Sequence, residues 1–207
     1  MPDAKDNPTE ISTPEVTRRL RDCRKSRGGS GTTEVLSVPE RYRHHTLLAF
    51  PDAWAVRACD FIEGYREHGS LLLTGQTGSR KTTFSAAVLG AWRFTWPEQE
   101  YPWMNGIFVP MHKAAEVFRD FSDTETLTEW RNTSMLVLDD VGAQRSTPHL
   151  MESLLLLLEY RYDWMTPTIV TTNLDLDELS KAIDPRAASR LQQGIVLDCG
   201  DKDWRRE

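Results

Sequence analysis

Between Ser70 and Thr83 the chain reads SLLLTGQTGSRKTT: a short apolar run, two spaced glycines, then Lys-Thr-Thr. Leu71, Leu72 and Leu73 suit a strand buried on both faces of a parallel sheet. Gly75 and Gly78 break that strand, and TTFSAAVLGAW after them has helical composition. A glycine loop set between a strand and a helix turns backbone N–H groups and a helix N-terminus toward one point, which suits a phosphate. Gly75, Gln76, Thr77, Gly78, Ser79, Arg80, Lys81, Thr82 and Thr83 would then surround the phosphates of ATP. Lys81 is spaced to reach the terminal phosphates, and the Thr82 hydroxyl to hold Mg²⁺. The pattern asks for Gly-x-x-x-x-Gly-Lys-Thr, and Arg80 stands where the second glycine is expected. With a negative φ, arginine fits there unstrained, its side chain pointing outward or lying along the phosphates. With a positive φ it costs on the order of 1 kcal/mol or more. Gly75 and Gly78 remain to take the awkward turns, so a negative φ is expected, with nucleotide bound and turnover slowed.

A second apolar run, Met135 to Leu138, ends in two carboxylates, Asp139 and Asp140. Such acids are often solvated turn residues. Downstream of a phosphate loop they suit a different pair of tasks: Asp139 ordering the Mg²⁺ shell and Asp140 polarising the attacking water. A third run, Thr168 to Thr172, ends in Asn173, whose amide could sit between that water and the γ-phosphate. Asn173 could instead cap the helix that LDLDELSKAI forms, although Asp175 is the better cap.

The elements that must position these groups alternate along the chain. A helix is expected from about Asp52 to His68, where Trp54, Ala58, Phe61, Ile62 and Tyr65 recur at helical spacing. Ile107 to Val109 and Ile195 to Leu197 are further short strands, and helices are expected over 111–121, 124–131 and from Asp184 to Arg190. Pro148 to Trp164 reads as a long helix, apolar nearly all round through Leu154 to Leu158, so both its faces should be covered. Strands and helices in this order describe an α/β fold, an open and mostly parallel sheet with its ligand at the carboxyl ends of the strands.

The 207 residues suffice for one domain with a full core and a short arm. Residues 1–37 are expected to form that arm, with a basic helix carrying Arg18 to Arg27 and a Gly-Gly-Ser-Gly tether. The arm is either solvated or a docking or nucleic-acid contact. Three widely separated cysteines, Cys23, Cys59 and Cys199, suggest neither zinc nor disulfides but reduced cytoplasmic thiols. The Leu154 to Leu158 run is far too short for a bilayer, so no membrane partner is expected. A net charge of −6 argues against a monomer that holds nucleic acid by overall charge, though not against a groove built by several subunits.

From about Val38 to Arg206 the chain resembles the AAA+ ATPases of the DnaC-type helicase loader and IstB-type transposition ATPase group. The resemblance rests on VPERYRHHTLLAF, LLLTGQTGSRKTT (Walker A), MLVLDDVGAQRST (Walker B), PTIVTTNLDLDEL (sensor 1), DPRAASRL (the arginine-finger box) and the closing DWRR. It implies a P-loop NTPase domain over 38–207 with a five-stranded sheet and no helical lid domain. By the same resemblance Asn173 is the sensor 1 residue. Arg190 is the finger reaching a neighbouring subunit's nucleotide, with Arg186 structural or assembling, and Arg205 is the sensor 2 arginine. A finger acting in trans implies a homo-oligomer in the ATP state. The leading function is an ATPase that delivers a replicative helicase to single-stranded DNA, with Lys113 and Arg119 as candidate DNA contacts. A transposition regulator recruiting a transposase is the alternative, and an ATP-gated switch with attenuated hydrolysis a third. A small-molecule kinase is disfavoured, since nothing resembles an acceptor pocket.

Overall fold

The computed structural model describes residues 37–95, 104–120, 122–143 and 147–204. The expected basic arm, Phe121 and Arg205 lie outside the described residues. Five parallel strands form one sheet: β1 (Ser70–Thr74), β2 (Gly106–Pro110), β3 (Met135–Asp139), β4 (Thr168–Thr171) and β5 (Ile195–Asp198). Their order is β2-β3-β4-β1-β5, so β1 lies between strands from the far end of the sequence. β1, β3 and β4 are buried throughout, which accounts for their unbroken apolar runs.

Side chains alternate across a strand, so each run feeds both faces. Leu71, Leu73, Met135, Val137 and Ile169 point to one core. There they meet α1 (Asp52–Glu63) and α3 (Lys81–Thr95) through residues such as Phe61, Phe84, Val88 and Trp92. Leu72, Leu136, Leu138 and Val170 point to the other core. That face is covered by α4 (Met111–Arg119), α5 (Thr124–Asn132), α6 (Pro148–Asp163), α7 (Leu176–Ala182) and α8 (Pro185–Gln193). The helix starts follow capping chemistry: Thr147 and Pro148 open α6, and Asp184 and Pro185 open α8. Asp175 and Glu178 form a reciprocal capping box on α7, so Asp175, as expected, is the cap and Asn173 is left for other work.

Two expectations about the helices need correction. The segment from Asp52 to His68 is not one helix: it ends at Glu63, Gly64 interrupts it, and α2 is a single turn over Tyr65–His68. A Cβ at Gly64 would lie 3.0 Å from the His68 ring, and the break lets Tyr65 meet Trp92 edge-on at 5.1 Å. The leucine run of α6 is also not covered all round. Leu154, Leu155, Leu157 and Leu158 are buried, but Leu156 is 49% exposed. At about 100° per residue, Leu156 sits roughly 200° from Leu154, facing away from the core.

A charge buried in the second layer fixes where β4 begins. Arg161 of α6 is 1% exposed, and its acceptors among the described residues are all neutral. It donates to the carbonyls of Trp130 (2.8 Å), Thr133 (2.8 Å) and Pro167 (2.7 Å) and to the Thr168 hydroxyl (2.8 Å). Burial pulls its pKa down to about 9, so it remains charged at neutral pH. The side chain thereby ties the end of α5 to the start of β4, the strand that leads to Asn173.

Candidate nucleotide site

After Thr74 the backbone turns through three residues of positive φ: Gly75 (131°), Gly78 (93°) and Arg80 (66°). The two glycines take the turns expected of them, and both are crowded as well. A Cβ at Gly75 would lie 2.7 Å from the Gly200 carbonyl oxygen, and one at Gly78 would lie 2.3 Å from a carboxylate oxygen of Asp203. Arg80 departs from expectation, since its φ is positive rather than negative. A left-handed conformation costs a non-glycine residue roughly 1–2 kcal/mol, so neighbouring contacts must hold it. Its guanidinium donates to the Ala49 carbonyl (3.2 Å) and lies 4.5 Å from the Phe50 ring centre and 5.5 Å from that of Trp204.

Lys81 opens α3 and is 6% exposed. Its ammonium donates to the carbonyls of Gly75 and Gln76, each at 2.7 Å, and to the Ser79 hydroxyl at 3.2 Å. Those neutral acceptors are weak compared with a phosphate, so the ammonium is set to exchange them for an anion.

The other wall comes from β3 and β4. Asp139 ends β3, is buried, and accepts from the Thr171 hydroxyl at 2.7 Å. Burial raises its pKa, opposed by hydrogen bonds from Thr171 and Thr82 and by the Lys81 charge, while Asp140 pushes it further up. The same Thr171 hydroxyl accepts from the Asp140 amide at 2.8 Å, and Asp140 has a φ of 66°. Asn173 then donates from its side-chain amide to the Asp140 carboxylate at 2.7 Å. Asn173 is thus joined to Asp140 directly, and Thr171, to which the sequence alone assigns no part, links Asp139 to Asp140. Its signal was its place: it is the last residue of the strand beside β3.

Both walls border one cavity of about 770 Å³, within the size range of small-molecule sites. Tyr42 and His45, ahead of α1, close it on one side and Trp204 on another. Trp204 ends a strap that follows β5. The strap is laced to the loop by backbone bonds from Cys199 N to Thr74 O (2.8 Å), Gln76 N to Gly200 O (3.0 Å) and Trp204 N to Gly78 O (3.2 Å). Burial pushes the Cys199 thiol up to about 12, which leaves it unreactive. Thr82 and Asp139 present a hydroxyl and a carboxylate side by side, hard oxygen donors of the kind Mg²⁺ takes. No group of three or more His, Cys, Asp or Glu among the described residues could hold a metal by itself. A pair of protein oxygens supplemented by phosphates therefore fits this donor set.

Arg190 is not brought to this cavity. It lies on α8 beside Gly69, Ser70 and Thr168, at the end of β1 and β4 opposite the phosphate loop. There it pairs with Glu159 at 2.5 Å and sits 5.2 Å from the Tyr162 ring centre. Arg186 pairs with its own helix cap, Asp184, at 3.1 Å. Lys113 and Arg119 are exposed on α4.

The Thr171 geometry makes the first prediction. Thr171→Val keeps the shape but removes the hydrogen bonds to both acids, while Thr171→Ser restores them. The valine variant is expected to need roughly tenfold more Mg²⁺ for half-maximal nucleotide binding by calorimetry, a loss of about one buried charged hydrogen bond. An unchanged Mg²⁺ requirement would remove Thr171 from the site.

No protein-family model matches the chain. The replicative helicase loader DnaI of Bacillus subtilis (strain 168) is 30% identical over 126 residues, covering 58% of this chain and 39% of that protein. The match therefore spans about two fifths of the relative's length. A crystal structure of the DnaC helicase loader superposes with a TM-score of 0.64 at 22% identity, over 77% of this chain and 99% of that one. The replication initiator DnaA bound to AMPPCP and single-stranded DNA does so with a TM-score of 0.63 at 15% identity, over 78% of this chain and 50% of that one. Strand order, phosphate loop and structural likeness together give these residues the AAA+ type of P-loop fold, and the chain resembles the DnaC-type helicase loader group.

Proposed function

We propose that the chain binds and hydrolyses ATP, assembles in its ATP state on single-stranded DNA and delivers a replicative helicase to it. The observation that carries this reading is the cavity where Lys81 and Thr82 of the phosphate loop face Asp139, Asp140 and Asn173. The helicase and the DNA enter by likeness to the DnaI loader and to the DNA-bound initiator.

In this reading the amides of the loop and the start of α3 hold the phosphates of ATP, and Lys81 leaves its carbonyls for the β- and γ-phosphates. When bound, Mg²⁺ would supply positive charge that offsets the charge of the phosphates. Thr82 and Asp139 would be its protein ligands, with Asp139 aimed by Thr171. Asp140 accepts a hydrogen bond from the water that attacks the γ-phosphorus, and Asn173 holds the Asp140 carboxylate in place. The P–O bond to ADP breaks as the water oxygen bonds to phosphorus, giving ADP and phosphate. Arg190, at the far end of its own sheet, serves a neighbouring copy, where its charge would meet that developing on the γ-phosphate. Slow turnover loses its rationale here, because the Arg80 guanidinium is held by Ala49, Phe50 and Trp204 rather than laid along the phosphates.

A mixing experiment tests the trans assignment. Arg190→Ala and Asp140→Asn should each be inactive as an ATPase. Mixed, they should recover part of the parent rate, since some interfaces pair an intact finger with an intact acid. Absence of recovery at every ratio, with co-assembly shown by sedimentation, would contradict it.

The partner is tested by purifying the tagged full chain from its native host in ATP. The replicative helicase should be enriched among the proteins recovered. A transposase in its place would overturn the loader reading in favour of transposition control.

A further inference from the structure

Arg80 stands beside Lys81 in the phosphate loop, although its side chain has no part in the proposed chemistry. It also holds a backbone conformation, φ 66°, that a glycine would adopt freely. Its guanidinium touches three groups, two of them consecutive in the chain and the third far from them in sequence. The first is the 3-10 turn Leu47–Ala49, through the Ala49 carbonyl at 3.2 Å. The second is Phe50, 4.5 Å away and itself packed on Phe84 (4.9 Å between ring centres) and Trp54 (6.1 Å). The third is Trp204 at the end of the strap, 5.5 Å away, with the Lys202 ammonium also over its ring at 3.8 Å. Cation–π attraction to two rings and a hydrogen bond offset the cost of the left-handed backbone. The shape of the loop and the closed position of the strap are therefore coupled through one side chain.

We propose that Arg80 is a positioning residue, a cation–π clasp that holds the strap of Cys199 to Trp204 closed over the phosphate loop and thereby slows release of the nucleoside triphosphate bound there. The effect on release rests on the nucleotide reading above; the clasp itself does not. Three features of the strap suit the role. Its backbone bonds to Gln76 and Gly78 close directly over the loop. Trp204 borders the cavity beside Arg80. Glycines at 75 and 78 make room for it, since a side chain at either would strike Gly200 or Asp203. A glycine at residue 80 would keep the turn and lose the clasp. An alanine would lose the clasp and keep the strain, and a lysine would keep part of the attraction.

Hydrogen–deuterium exchange on the full chain without nucleotide separates these cases. Peptides covering Gln76 and Trp204 should exchange roughly tenfold faster in Arg80→Gly and Arg80→Ala, and by an intermediate factor in Arg80→Lys, while those covering Leu136 to Leu138 stay unchanged. Exchange at Gln76 and Trp204 that is the same in Arg80→Gly as in the parent would overturn the clasp. Release of mant-ATP, followed by stopped-flow fluorescence, should then be several-fold faster in Arg80→Gly and in Trp204→Leu, and no faster still in the double variant. Unchanged release would overturn the effect on nucleotide. A parent chain that does not bind mant-ATP would overturn the nucleotide reading, with the exchange result still deciding the clasp.

Discussion

The site depends on one constraint: β4 is inserted between β3 and β1 in parallel register. Leu73 pairs with Thr171 and Leu138 with Val170, so three strands end side by side. The Thr172 amide donates to the Leu73 carbonyl (2.9 Å), and the Val141 amide to the Thr171 carbonyl (2.9 Å), carrying the pairing past the strand ends. Without this register the phosphate loop, the two acids and Asn173 would face different ways. Because side-chain direction alternates along a strand, a slip of one residue would send the Thr171 hydroxyl to the opposite face. Arg161 guards the other end of the same strand, donating to the Pro167 carbonyl just before β4 and to the hydroxyl of its first residue, Thr168.

Much of this was legible in the residues because each feature is local or strictly periodic. Buried parallel strands need unbroken apolar runs, and a phosphate loop needs glycines at fixed steps before Lys-Thr. The Asp175 cap announces itself by Glu178 three residues on. What was not legible depends on partners distant in sequence. The conformation of Arg80 is set by Phe50 and Trp204, neither of which neighbours it in the chain. The strap is invisible because its bonds to the loop are made by backbone groups, which every residue except proline carries in full. Thr171 reads as one more β-branched strand residue until β3 is placed beside it. The leucine run misled for a different reason: five residues sweep more than a full turn of helix, so composition alone overstates what is covered.

The nucleotide site and the surface around Arg190 lie at opposite ends of the sheet. That separation is what the proposed trans role of Arg190 requires, with one copy's loop set against the next copy's α8. Within one chain, the ion pair with Glu159 compensates the Arg190 guanidinium. The aromatic and basic clasp at the other end closes over the loop within a single copy. In the proposed reading, assembly and nucleotide retention would be served by different side chains, Arg190 and Arg80.

In the proposed reading the loop from Gly75 to Thr83 takes the phosphates of ATP, and the acids opposite complete the site. A crystal structure of the full chain with AMPPCP and Mg²⁺ tests it most directly. The Lys81 ammonium should be released from the Gly75 and Gln76 carbonyls and lie within hydrogen-bond distance of the β- and γ-phosphates, with Thr82 and Asp139 beside the metal. A saturated crystal in which the nucleotide lies elsewhere, with Lys81 still bonded to those carbonyls, would contradict it.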